Sequence, residues 1–386
     1  MKVFLVAGEA SGDRLGAALM AGLKTLDPGM AFQGVGGPLM AEQGMTSLFP
    51  MDELSVMGIA EVLPKYRQLR ARMIQTADAV LAADPDVLIT IDSPDFCLRV
   101  AARVRAARRI RTVHYVAPSV WAWRPGRAAK MAPHVDQVLA LLPFEPPLME
   151  AAGMRCDFVG HPVVAEPIVS PAQIAAFRSD NDIGAAPLLL VLPGSRQGEV
   201  GRLLPVFGET VAQLVQRRPD LRVVVPVAPG VADRVTQAVQ GWPGGPVVVD
   251  PRGAASDRAQ GMKPVAFAAA DVALAASGTV SLELAAADTP MIVGYDMNWL
   301  SWQIMSRMAL IDTVTLVNLV TQTRLVPEFL GPACRPGPMA AALDALLAAP
   351  DAQRAVLAQT MQALGKGGDA PGLRAARAVL DGIDGA

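Results

Sequence analysis

Short all-apolar runs, each closing on a tight turn and followed by a helical pattern, predict a parallel α/β protein whose strands are covered on both faces. Two further observations predict two Rossmann-like domains facing a central cleft. The chain's 386 residues exceed what one hydrophobic core usually organises. The strand–turn–helix rhythm also breaks in a Pro-, Ser-, Asn- and Asp-marked stretch from Ser170 to Pro187 and then restarts. Two such units in tandem would bring the carboxyl ends of both sheets to one cleft.

Taken in order, the run at 3–7 ends in Gly8-Glu9-Ala10-Ser11-Gly12-Asp13, and a helix follows through Leu15, Leu19 and Leu23. Further runs stand at 87–91, 112–116, 138–142 and 158–159, with Ala- and Arg-rich helical stretches between several of them. Such alternation argues for crossover connections rather than an antiparallel sandwich. In the second half, the run at 188–192 leads into Pro193-Gly194-Ser195-Arg196, and runs at 222–227, 247–249, 272–275 and 291–293 continue the series. After Pro338 the chain is Ala-rich and helical to about Leu364; a Gly365-Lys366-Gly367-Gly368 break precedes a last helix at 372–380. The expected division is 1–166, 167–345 and a pair of C-terminal helices at 346–386 that is free to return to the first domain.

Composition narrows the function classes. With 52% hydrophobic and 18% charged residues the chain can bury large cores and is not disordered. A formal net charge of -2 gives no nucleic-acid footprint. The 3 cysteines, Cys97, Cys156 and Cys334, show neither metal-ligand spacing nor a disulfide framework, which fits a reducing cytoplasm. No apolar run approaches the ~20 residues of a membrane span, and no signal peptide is evident. The expectation is a soluble cytoplasmic protein able to touch a membrane surface.

The stretch 270–283 reads as a buried strand, a Ser277-Gly278-Thr279 turn and the start of a helix. Free N–H groups there carry partial positive charge, Gly278 allows close approach, and two hydroxyls can donate, so the turn suits a phosphate. Glu283, about one turn further, suits a ribose diol. The competing account makes Ser277 or Thr279 a helix cap and Glu283 an acid that complements the helix dipole.

Seven stretches carry a resemblance. Ala7-Gly8-Glu9-Ala10-Ser11-Gly12-Asp13, Ser55-Val56-Met57-Gly58-Ile59-Ala60-Glu61-Val62-Leu63, Asp92-Ser93-Pro94-Asp95-Phe96, Tyr115-Val116-Ala117-Pro118-Ser119-Val120-Trp121-Ala122-Trp123-Arg124, Val159-Gly160-His161-Pro162, Leu192-Pro193-Gly194-Ser195-Arg196 and Ala276-Ser277-Gly278-Thr279 resemble, in order, the lipid-A-disaccharide synthase family. That resemblance implies an inverting glycosyltransferase of the two-Rossmann (GT-B) type. Its reaction joins UDP-2,3-diacylglucosamine to 2,3-diacylglucosamine 1-phosphate through a β-1,6 bond and releases UDP. Two departures stand out: Ala165 and then Glu166 replace an acid expected three residues after Pro162, and Val317-Asn318-Leu319 replaces Pro-Asn-Leu.

The residues fit that chemistry. The diphosphate charge that develops as UDP leaves must be stabilised by a metal or by cations and N–H dipoles. Asp84-Pro85-Asp86 and Asp180-Asn181-Asp182 have chelating spacing but sit in loops ahead of strands, so neither a metal nor a cofactor is expected. Ser195, Arg196, Ser277, Gly278 and Thr279 take that role instead, with Arg196 reaching phosphate from its turn. Asn318 binds the nucleotide or merely fixes a loop.

On the acceptor side a general base takes the proton of the attacking hydroxyl. Asp95 is the first choice and Asp92 the runner-up, unless Asp92 caps the next helix. Glu9 and Asp13 flank the first turn, where Asp13 is equally a helix-start residue, and Ser11 is placed with the acceptor site. His161 joins the site through its matched motif, while His114 reads as a buried strand residue and His134 as surface. Trp121, Trp123 and Arg124 line the acceptor site or serve as packing anchors. Met57, Ile59, Val62, Leu63, Tyr66 and Leu69, interleaved with Lys65, Arg67, Arg70 and Arg72, suit either an amphipathic element on anionic lipid or a core-facing helix with a solvated basic face. The expected placement is peripheral, on the inner face of the inner membrane, with a homodimer allowed. Two rival functions stay open: an enzyme like UDP-N-acetylglucosamine 2-epimerase, and a non-catalytic sugar-nucleotide or lipid-binding protein.

Overall fold

The structure is a computed structural model that describes residues 1–54, 59–253 and 256–384. Met57 lies outside the described residues, as do the side chains of Ile59, Val62 and Leu63. The chain forms two compact units, Met1–Ala165 with Leu364–Ala386, and Glu166–Ala363.

In the first unit the order is β1 (Lys2–Ala7), α1 (Ala10–Leu26), β2 (Ala31–Val35), α2 (Pro38–Glu42), α3 (Ile59–Ala83), β3 (Val87–Ile91), α4 (Pro94–Ala107), β4 (Arg111–Tyr115), α5 (Gly126–Met131), β5 (Gln137–Ala140), α6 (Pro146–Glu150) and β6 (Arg155–Phe158). The strands pair in parallel in the order β2-β1-β3-β4-β5-β6. Side chains alternate across this sheet. Val3, Leu5 and Ala7 of β1 pack with Leu15, Leu19 and Leu23 of α1, whereas Phe4 and Val6 pack with Ala77, Val80, Val100 and Val104 of α3 and α4. Burial on both faces is why residues 3–7 of β1 read as a continuous apolar run.

The second unit contains α7 (Pro171–Asp180), β7 (Leu188–Leu192), α8 (Gln197–Arg217), β8 (Arg222–Pro226), α9 (Ala232–Val239), β9 (Val247–Val249), α10 (Ser256–Ala269), β10 (Val272–Ala275), α11 (Val280–Ala286), β11 (Met291–Tyr295), α12 (Trp299–Met308), α13 (Leu316–Thr321), β12 (Glu328–Leu330), α14 (Pro336–Ala348) and α15 (Asp351–Ala363). Its parallel sheet runs β12-β11-β10-β7-β8-β9. The return to the first unit starts at Leu364 rather than at 346, so α15 stays with the second sheet. Only α16 (Pro371–Asp384) crosses back, where Ala375, Ala376 and Val379 join the core beside α1 and the Gln137 amide donates to the Ala378 carbonyl at 2.8 Å.

Both sheets reverse their winding once. In the first, the chain steps from β1 outward to β2 and then starts again on the other side with β3; in the second, β7 leads to β8 and β9 before β10 restarts beside β7. Such reversals leave a crevice at the carboxyl ends of the two strands concerned, which is where open α/β sheets bind ligands.

Candidate functional site

The turns after β1 and β3 meet at the reversal of the first sheet. A Cβ on Gly8 would lie 2.8 Å from Ser93 Oγ, so glycine is needed for the two turns to touch. Glu9 is the N-cap of α1 by backbone position, and Ser11 is exposed in the first helical turn. Asp92 and Ser93 both hold left-handed backbone, with φ of 50° and 40°. Successive non-glycine residues in that region store strain, which gathers at functional sites. Burial pushes the Asp92 carboxyl above its ordinary range, partly offset by the Ser93 N–H. Asp95, in the first turn of α4, is 91% exposed and stands 3.6 Å from Arg127 Nη2.

After β4 the backbone is strained again: Val116 has φ 83°, an outlier for a β-branched residue. The loop beyond it folds over a hollow lined by Ser119, Val120, Trp123, Arg124 and Arg127, with the Arg124 guanidinium 4.2 Å from the centre of the Trp123 ring. Trp121 does something else. Its Nε1 donates to Glu145 Oε1 at 3.2 Å, and its ring meets Phe144 edge-on at 5.4 Å, so Trp121 anchors the loop instead of lining the hollow. Glu145 is 4% exposed and also accepts the Leu141 and Leu142 N–H groups; burial pushes its carboxyl up to about 7. The sequence reading placed Val116 in an apolar run and a matched stretch but assigned it no role, and it did not mark Glu145.

His161, after β6, donates its N–H to the Leu364 carbonyl at 3.1 Å, and its Nδ1 accepts the Val163 N–H at 3.2 Å. That bond leaves any ring proton of the neutral form on Nε2. Burial lowers its pKa to about 4. Arg374 of α16 braces the same corner by donating to the Phe158 carbonyl at 2.9 Å. His114 is buried on β4, with Nδ1 2.8 Å from Thr90 Oγ1, as its apolar surroundings predict.

Asp13 is not available for chemistry. It is 3% exposed, and its carboxylate accepts the N–H groups of Gly37, Leu39 and Met40 at 2.8, 3.0 and 3.0 Å, which caps α2. On α3, Lys65, Tyr66, Arg67 and Arg70 are exposed, while Arg72 is tied to Glu53 at 2.7 Å.

In the second unit the turns after β7 and β10 share the other reversal point. Ser195 is exposed; Arg196, 64% exposed, opens α8 as its N-cap residue, with Nη1 3.5 Å from Glu199. Tyr295, at the end of β11, feels both charges: burial raises its phenol, Glu199 adds to that and Arg196 opposes it. Ser277 is half-buried, while Gly278 and Thr279 are exposed. Gly278 takes φ 151° with nothing within 4 Å of where a Cβ would stand, leaving open space beside the backbone. Thr279 caps α11 without a side-chain bond; it is Ser281 Oγ that donates back, to the Gly278 carbonyl at 3.0 Å. Glu283 pairs with Lys263, although one ammonium does not use up a carboxylate's lone pairs.

Asn318 is a loop fastener. It is fully buried; Nδ2 donates to Thr313 Oγ1 and the Val326 carbonyl at 3.2 and 2.9 Å, and Oδ1 accepts the Val326 N–H at 3.1 Å. A side chain so engaged has nothing to offer a nucleotide. No group of three or more His, Cys, Asp or Glu with metal-binding geometry occurs among the described residues.

A family model described as lipid-A-disaccharide synthetase matches residues 3–368. A lipid-A-disaccharide synthase of Ruegeria pomeroyi is 64% identical over 385 residues, covering 100% of this chain and 96% of that protein. Another, of Rhodospirillum centenum, is 48% identical and covers 99% and 94%. Among solved structures, a UDP-GlcNAc 2-epimerase from Neisseria meningitidis bound to UDP-GlcNAc has a TM-score of 0.64 at 12% identity, across 100% of both chains. The glycotransferase of kitacinnamycin has a TM-score of 0.61 at 16% identity, across 99% of each. These structures share the fold alone, so the epimerase likeness does not extend to activity. Identity along nearly the whole length is a different matter, and by it the chain belongs to the lipid-A-disaccharide synthase family.

Proposed function

We propose that the chain carries out its family's glycosyl transfer, joining UDP-2,3-diacylglucosamine to 2,3-diacylglucosamine 1-phosphate. The acceptor's 6-oxygen bonds to the donor's anomeric carbon as the bond from that carbon to the diphosphate breaks, giving the β-1,6 disaccharide 1-phosphate and UDP. The observation that carries this reading is the 64% identity to a lipid-A-disaccharide synthase over the full chain.

Each unit has groups suited to one half of the reaction. Asp95, solvent-facing at the start of α4, takes the hydroxyl proton; Asp92, half-buried on the strained turn before it, is the alternative base. Glu9 and Ser11 follow β1 and a neutral His161 follows β6, each at the carboxyl end of its strand, from which they would position the acceptor. In the second unit, Arg196, Ser195 and the Ser277–Thr279 turn meet the charge that develops on UDP, and Glu283 takes the ribose. The exposed Lys65, Tyr66, Arg67 and Arg70 of α3 favour contact with anionic lipid, which suits acyl substrates. No helix among the described residues is long and apolar enough to cross a membrane. The proposed contact is peripheral, at the inner face of the inner membrane, where the basic residues of α3 would meet anionic lipid.

Mass spectrometry of products from the purified protein with both sugar substrates tests the reading. A disaccharide 1-phosphate with stoichiometric UDP is expected. Free 2-epimerised sugar, or UDP binding without turnover, would replace it with one of the rival functions.

A further inference from the structure

The hollow beside Asp95 has a volume of about 180 Å³ and presents two guanidiniums, a serine hydroxyl and an indole. The Arg124 guanidinium carbon lies over the Trp123 ring, 4.2 Å from its centre, a cation–π contact that uses none of the guanidinium N–H groups as hydrogen-bond donors. It holds φ 54°, a strained backbone for a side chain of its size. The Arg127 N–H donates to the Arg124 carbonyl at 3.0 Å, which fixes the spacing of the two arginines. No carboxylate lies within ion-pair distance of Arg124 among the described residues, and the one near Arg127 is Asp95 at 3.6 Å, beyond a charge-assisted hydrogen bond. The lining is therefore cationic, rich in unused donors and small.

We propose that this hollow seats the phosphate monoester on the anomeric carbon of the acceptor sugar, with Arg124 and Arg127 as its paired donors. This rests on the functional reading above. In a hexopyranose, C1 and C5 are both bonded to the ring oxygen, so a phosphate on C1 and the hydroxyl on C6 flank the same edge of the ring. Holding the phosphate between Arg124 and Arg127 therefore brings the 6-hydroxyl toward Asp95, the carboxylate that Arg127 already touches. The two arginines would select a phosphorylated acceptor and aim its nucleophile in one act.

The test compares two acceptors in neutral detergent without phospholipid: 2,3-diacylglucosamine 1-phosphate and the corresponding 1-O-methyl glycoside. The wild-type protein is expected to prefer the phosphate in kcat/KM. Arg124→Gln and Arg127→Gln should each lose about 10- to 100-fold on the phosphorylated acceptor, as for a hydrogen bond to a charged group. Both should lose clearly less on the methyl glycoside, where only the Arg127 contact with Asp95 is at stake, and both should keep UDP affinity by calorimetry. If either glutamine variant fails to fold by thermal melting, its Arg→Lys counterpart keeps the charge without the planar fork and should lose part of the same preference. Equal losses on both acceptors, weakened UDP binding, or a wild type indifferent to the phosphate would each overturn the assignment. Absence of any disaccharide from the wild type would instead remove the functional reading, and this one with it.

Discussion

Arg127 Nη2 stands 3.6 Å from Asp95 Oδ1, near enough to orient the carboxylate and too far to bind it tightly. Asp95 thus keeps lone pairs for another donor, and 91% of its side chain faces solvent.

Asp95→Asn preserves shape and removes basicity, so turnover should fall ~10²- to 10⁴-fold while UDP affinity stays near normal. Asp92→Asn should leave turnover close to wild type, because asparagine tolerates the left-handed backbone of that turn. Turnover, UDP affinity and melting temperature measured on both variants decide the matter. A large loss confined to Asp92→Asn would transfer the base to Asp92.

Arg196→Ala should weaken UDP binding by ~1.5 to 3 kcal/mol, the worth of a hydrogen bond to a charged group. The side chain is exposed and its ion pair with Glu199 is loose, at 3.5 Å, so thermal stability should not change. Calorimetry with unaltered UDP affinity would remove Arg196 from the donor site.

Asp13→Ala leaves the N–H groups of Gly37, Leu39 and Met40 without their acceptor. A stability loss of ~3 kcal/mol or more is expected in urea unfolding, with Asp13→Asn losing less because one acceptor oxygen remains. A catalytic Asp13 would show the reverse, full stability with turnover abolished.

Burial holds His161 and His114 at about 4, against an ordinary 6.5. The unfolded chain therefore binds more protons than the folded one between those values, so stability is complete above 6.5 and is lost as pH falls toward 4. Glu145, raised to about 7, runs the opposite way but is common to wild type and variant. His161→Asn keeps an acceptor for the Val163 N–H and deletes one titration. Its stability should drop less than that of wild type between pH 7 and pH 5, by on the order of 1–3 kcal/mol. Parallel pH profiles in denaturant unfolding would show that His161 is not held neutral by the fold.

The interior strands were legible from sequence because each is buried on both faces: Leu188–Leu192 and Val272–Ala275 are unbroken apolar runs with every residue buried. Two of the four edge strands were not, although the edge strand Val247–Val249 was, as a short apolar run. Ala31–Val35 reads Ala-Phe-Gln-Gly-Val, and Glu328–Leu330 is a half-buried Glu-Phe-Leu. An edge strand has a neighbour on one side only, so its sequence need not carry the apolar signature. The turns after β1, β3, β7 and β10 were also marked in advance, since glycine and small polar residues after an apolar run are a local signal.

What tertiary structure alone decided is which polar side chains remain free for a ligand. Asp13 finds its first partner 24 positions away at Gly37, and Trp121 finds Glu145 at the same separation. Asn318 closes on Val326 across 8 positions, through a loop whose path no periodicity describes. In sequence, Asp13, Trp121 and Asn318 look as available as Asp95, Trp123 and Ser277. The difference arises because a buried donor or acceptor must be paired, and its partner arrives only when a distant segment folds back to it.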